Sequence, residues 1–115
     1  MKKFLKSFGY ALEGIRSAIR EQQNLRIQLL VALGMIGLGL YFSITAVEWC
    51  VLLLCIALVL SLELMNSSIE NLVDLISKER NPLAGKIKDM AAGAVLVASV
   101  VAAIIGIILF LKYIV

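Results

Sequence analysis

The sequence predicts an all-α membrane protein: an amino-terminal amphipathic surface helix followed by three transmembrane helices. Three observations carry this. Of 115 residues, 62% are hydrophobic and 17% charged, whereas an ordinary soluble domain is about 45–50% apolar and about 25% charged. A mean hydropathy of +1.01 leaves too little polar surface to wrap a globule of this size. Three apolar stretches, Ile27 to Val47, Val47 to Ile69 with Glu63 inside it, and Met90 to Leu111, can each cross a hydrocarbon core of roughly 30 Å at about 1.5 Å per residue. The length suits one domain over 1–115, with the surface helix over about 1–24 and membrane helices over about 27–47, 48–77 and 88–113.

The surface helix comes first. Leu5, Phe8, Leu12, Ile15 and Ile19 follow 3-4-3-4 spacing, which confines them to an arc of about 80° on a helix. Lys2, Lys3, Lys6, Arg16 and Arg20 accompany them, the pattern of a helix lying in the membrane interface with its cations near anionic headgroups. No small-residue cleavage site closes a short apolar core, so a cleavable signal is not expected.

The spans follow. Gly34, Gly37 and Gly39 in the first, and Ala94, Ala98, Ala102 and Gly106 in the third, allow close helix approach. Three short helices bury little surface among themselves, so packing between subunits is expected as well. Trp49, Tyr41 and Tyr113 stand where interfacial anchors belong. Lys and Arg cluster at or before Arg26 and between Lys78 and Lys88, are absent from Ile27 to Ser77, and recur only at Lys112. The positive-inside rule therefore puts the amino terminus and the Lys78–Lys88 loop in the cytoplasm, and the Ser43–Trp49 turn outside. Pro82 is expected to end the second membrane helix and turn the chain back.

Chemistry concentrates between Glu63 and Asp74. On a helix Glu63, Asn66, Glu70 and Asp74 fall at relative angles of about 0°, 300°, 340° and 20°, one polar stripe on an apolar rod. Burying an ionisable group near the bilayer centre costs about 2.5–3.5 kcal/mol on insertion scales, and lining up like charges raises that cost unless a cation or protons neutralise them. Three carboxylates in register therefore point to a bound cation rather than to a polar seam that merely joins helices. Glu63 lies deepest, where a general base would sit, while Glu70 and Asp74 lie where a hydrated metal could reach them. Lys86, Lys88 and Asp89 return at the same level. Carboxylates for Mg²⁺ and cations for phosphate oxygens are the parts phosphoryl transfer uses.

Other chemistries are poorly served. The chain has no His, so proton transfer and metal ligation fall to carboxylates and amides. Cys50 and Cys55, five apart in an apolar run, suit neither a metal knuckle nor a disulfide framework. Ser67 and Ser68 lack a His partner for nucleophilic catalysis. No Walker-type G-x-x-x-x-G-K-[ST] loop is present, and Gly34-Met35-Ile36-Gly37-Leu38-Gly39 lies in an apolar span, so a nucleotide site would be unlike that of soluble kinases. The net charge of +3 is small, and no nucleic-acid partner is expected. A small ion or drug transporter also carries an embedded Glu, but needs charge accessible from both sides; these carboxylates descend toward one.

The run Glu63-Leu-Met-Asn66-Ser-Ser-Ile-Glu70-Asn-Leu-Val-Asp74, followed by Lys88-Asp89-Met-Ala-Ala-Gly93-Ala-Val, resembles the signature of the prokaryotic diacylglycerol kinase family. The resemblance extends over the whole chain. It implies a homotrimer in the bacterial inner membrane that transfers the γ-phosphoryl group of MgATP to a lipid hydroxyl. By position, Glu63 resembles the family's catalytic base, with Asn66 supporting the site, and Glu70 a metal-binding carboxylate that also serves the nucleotide. Lys88 and Asp89 match nucleotide-contacting positions, Glu79 to Asn81 the loop near the nucleotide, and Lys3 and Tyr10 the surface-helix contacts. Lys3 replaces the family's usual Arg, keeping the charge without the bidentate fork. A second metal-binding Glu closes the family's surface helix, commonly as Glu-x-Asn. Here that register places Gln22, and Glu21, one residue earlier, is the expected ligand. Val47-Glu48-Trp49 and Asn81-Pro82-Leu83-Ala84 look more like the branch that favours undecaprenol, with diacylglycerol the alternative acceptor.

Overall fold

The computed structural model describes all 115 residues as four helices: α1 (Lys2–Glu21), α2 (Gln23–Phe42), α3 (Ala46–Ile76) and α4 (Pro82–Ile114). There is no strand, and α2, α3 and α4 are each long and apolar enough to cross a membrane. Only 13 residues are buried, so most of the apolar surface is left for lipid or further protein to cover.

α1 buries nothing, and Phe4, Leu5, Phe8 and Leu12 are exposed along it. It stops at one extended residue, Gln22, with φ −110° and ψ 111°. Arg26, on the next helix, donates to the carbonyl oxygens of Ile19 and Arg20, both at 2.8 Å. A cation on the last carbonyls of α1 satisfies orphan acceptors and opposes the helix dipole, pinning α1 against the start of α2.

α2 begins at Gln23 and ends at Phe42, ahead of the expected 27–47. Hydrophobicity continues through Ile44 and Val47, but the backbone does not: Ser43 is left-handed at φ 51°. Thr45 then caps α3. Its hydroxyl accepts from the Glu48 amide at 3.2 Å, and Glu48 accepts from the Thr45 amide at 2.9 Å, a capping box. Trp49 therefore lies inside α3 and not in the turn. Its ring packs onto α2, where a Cβ added at Gly39 would meet Trp49 Cη2 at 2.8 Å. Tyr113 likewise turns inward to stack on Phe42, with ring centroids 5.6 Å apart. Of the three expected anchors only Tyr41 stands fully exposed.

The core sits at this turn end: Ile44, Leu52, Leu109 and Phe110 are buried, with Met35, Phe42 and Ile56 against them. α4 packs along α3, and Ala98 and Gly106 of the small-residue ladder are buried while Ala94 is exposed. Gly34 and Gly37 have open space around them. At the opposite end α4 starts at Pro82, earlier than the expected 88. Asn81 Oδ1 accepts from the Leu83 amide at 2.9 Å, so Asn81-Pro82 opens α4, with proline in its favoured first position, rather than closing α3.

Candidate active site

α3 has 31 residues and is about 46 Å long at 1.5 Å per residue, so it outruns a roughly 30 Å hydrocarbon core. Its polar stripe occupies the turns toward the loop end. Glu63 is 3% exposed, Asn66 8% and Ser67 5%. Both oxygens of Glu63 accept from amides: Gln28 Nε2 of α2 donates to Oε1 at 3.1 Å, and Asn66 Nδ2 to Oε2 at 3.3 Å. Asn66 Nδ2 also donates to Glu70 Oε1 at 3.4 Å. One amide thus ties together two carboxylates that lie about two turns of helix apart. No Lys or Arg pairs with either; the ion pairs of the chain lie elsewhere.

Three buried polar atoms beside this cluster have no partner: Gln28 Oε1, Asn66 Oδ1 and Ser67 Oγ. An unpaired buried polar atom costs about 1–3 kcal/mol, a cost concentrated here beside the carboxylates.

The remaining candidates are distributed unevenly. Asp74, next on the stripe, forms an ion pair with Lys88, joining α3 to the first turns of α4. Asp89 is exposed beside it, and Glu79 is exposed in the loop, its carbonyl accepting from Ser77 Oγ at 3.1 Å. Glu21 and Gln22 line a groove between α1 and α3 with Ser67, Ser68 and Asn71, so the end of α1 faces the flank of the stripe. Lys3 and Tyr10 lie exposed farther along α1, outside that groove. Within one chain they are not brought to Glu70: Lys3 is about 27 Å along the helix from Glu21.

The donor set suits Mg²⁺. Every side chain at hand offers oxygen, with no imidazole or thiolate in the cluster, and Asn66 Oδ1 is buried without a donor. No three acidic side chains converge into a closed cage. That also fits an ion bound through one or two carboxylates with the rest of its shell left to water and phosphate.

Periodicity found the stripe, but not Gln28. A signal was present, since Gln28 is the one amide in the apolar run from Ile27 to Phe42; what could not be read was that it meets a carboxylate 35 residues away. Ser67, which lacks a His partner to act as a nucleophile, is instead buried where it lines the groove between α1 and α3.

Residues 9–110 match the model of the prokaryotic diacylglycerol kinases. The chain is 39% identical over 111 residues to an undecaprenol kinase of Bacillus subtilis, covering 96% of this chain and 90% of that one. It is 32% identical over 108 residues to a diacylglycerol kinase of Haemophilus influenzae, covering 92% of each. A diacylglycerol kinase of Escherichia coli is 33% identical over 102 residues, covering 89% of this chain and 84% of that one. With three helices long and apolar enough to span a membrane and a buried Glu63 linked through Asn66 to a half-buried Glu70, neither paired with a cation, the chain belongs to the prokaryotic diacylglycerol kinase family of membrane lipid kinases.

Proposed function

We propose that this kinase phosphorylates undecaprenol, using MgATP, with Glu63 as the base. The observation that carries the reading is the state of Glu63: buried, oriented through both oxygens by Gln28 and Asn66, and paired with no cation. Such a carboxylate is held ready to accept a proton. It takes the proton of the lipid hydroxyl as that oxygen bonds to the γ-phosphorus, and the bond from that phosphorus to the β,γ-bridging oxygen breaks, releasing ADP. Glu70 and Glu21 hold Mg²⁺, which supplies charge neutralisation at the phosphates when bound. Lys3, Tyr10, Glu79, Lys88 and Asp89 contact the nucleotide, with Glu70 shared between nucleotide and metal. The protein assembles as a homotrimer in the bacterial inner membrane with its amino terminus cytoplasmic, in keeping with the basic residues of α1 and the 78–88 loop.

Identity alone does not choose between the acceptors, since a diacylglycerol kinase of Synechocystis is also 39% identical, but the undecaprenol kinase matches over 96% of this chain and 90% of its own length against 89% and 59% there, and that fuller match supports the polyprenol. Vesicles holding both acceptors in equal amount, incubated with γ-labelled ATP, separate the two readings. Undecaprenyl phosphate should dominate the labelled lipid. Dominant phosphatidic acid would assign the diacylglycerol reading, and label in neither would remove both.

A further inference from the structure

Helices commonly close on a left-handed residue that folds later amides back onto the last carbonyls. α1 does not. Gln22 is extended, and its amide reaches the Ala18 carbonyl at 2.8 Å. The next two carbonyls, of Ile19 and Arg20, are closed by Arg26, one guanidinium nitrogen donating to both at 2.8 Å. The two N–H groups of that nitrogen replace the missing cap and bring a positive charge to the negative end of the helix. Arg26 is also the last cation before Lys78.

Little else fixes the end of α1. None of its residues is buried. The side-chain hydrogen bonds made on it are Ser7 Oγ to the Lys3 carbonyl, within the helix, and the two from Arg26. It faces α3 across a groove of about 390 Å³, and a Cβ added at Gly14, on the groove wall, would touch nothing within 4 Å. Glu21 and Gln22 stand on the α1 side of this groove; Ser67, buried and without a hydrogen-bond partner, stands on the α3 side. The placement of the α1 end therefore sets how far Glu21 stands from the flank of the stripe, and Arg26 is the polar contact that sets the placement.

We propose that Arg26 is a positioning residue of the kinase: by capping α1 it holds Glu21 against α3, and it does so without touching nucleotide or lipid. The inference rests on the reading of Glu21 as a metal ligand and deepens it.

The test uses the full-length protein in lipid vesicles and takes two readouts, both normalised to folded protein. The first is geometric. Ser67→Cys places a thiol on the shielded wall of the groove, and its labelling by a water-soluble maleimide, read on the peptide carrying position 67, reports how closely α1 covers α3. Adding Arg26→Gln should raise that labelling rate about tenfold, as a freed helix end opens more often. Arg26→Lys, which keeps a cation with several N–H groups, should bring the rate back to within about threefold. The second readout is the metal. Arg26→Gln alone should raise the Mg²⁺ concentration for half-maximal lipid phosphorylation about tenfold, with kcat at saturating Mg²⁺ within about threefold of wild type. With Glu21→Gln already present, Arg26→Gln should add less than about twofold, the non-additivity of two residues serving one ligand.

An unchanged labelling rate overturns the proposal whatever turnover does: a raised KM for ATP would then make Arg26 a nucleotide contact, and a lowered kcat with the Mg²⁺ titration unmoved would make it merely structural. Fully additive losses from Arg26→Gln and Glu21→Gln overturn it as well. If labelling quickens while neither substitution shifts the Mg²⁺ titration, the placement of α1 by Arg26 stands and the reading of Glu21 as a ligand fails.

Discussion

Two half-buried or buried glutamates on α3 show how differently the ends of this bundle are built. At the turn end, Glu48 is saturated: its oxygens accept from the Thr45 amide, the Tyr113 hydroxyl and the Lys112 ammonium, the last at 2.8 Å. Around it Phe42, Trp49, Leu52 and Phe110 form the packed core. At the loop end, Glu63 is more deeply buried yet has only two neutral amides, and three neighbouring polar atoms have nothing. One carboxylate is structural and complete. The other is held in place by two amides with unpartnered polar atoms beside it, the kind of local departure from polar satisfaction that marks a candidate functional site.

That contrast is sharpened first by Glu63→Gln. Turnover should fall by about 10²–10⁴, the usual contribution of a general base, with assembly size and nucleotide binding retained; near-normal turnover would remove Glu63 from the role. Glu70→Gln comes next. The Mg²⁺ concentration for half-maximal activity should rise roughly tenfold, because affinity follows the charge of the ligand set, and an unshifted Mg²⁺ titration would place the ion elsewhere.

At the packed end the expected effects are on stability. Gly39→Leu drives a side chain into Trp49 and Ile44 and should cost about 1–3 kcal/mol, as overpacked cores do. Thermal unfolding in detergent would show it, and activity per folded molecule should hardly change. Smallest is Glu48→Gln, which keeps the capping box, since a Gln oxygen still accepts from the Thr45 amide, but removes the charge that pairs with Lys112; a modest fall in melting temperature with lipid kinase turnover intact is expected. A large loss of turnover there would mean that the ends are not separable.

Much of this division could be read from residue spacing. The 63-66-70-74 register on one helix face needs only the 100° step, because all four residues share one helix and no tertiary information enters. Gln28 needed the fold, since its contact with Glu63 is made between helices. Helix ends are less legible for a different reason: hydrophobicity runs on past Phe42, whereas the break is set by one left-handed serine and the Thr45 cap. Pro82 was similarly ambiguous, because a proline that stops one helix is also well placed to start the next. Lys3 and Tyr10 lie exposed on α1, outside the groove that flanks the stripe.

The most direct test sets the two glutamates side by side. Glu63→Gln and Glu48→Gln, each reconstituted in the same undecaprenol-bearing vesicles and normalised to folded protein, are compared for transfer of label from ATP to lipid. A separation of about a hundredfold or more, with Glu48→Gln near wild type, is the result expected of a base at one end and a structural cap at the other. Rates within a few-fold of each other would contradict it.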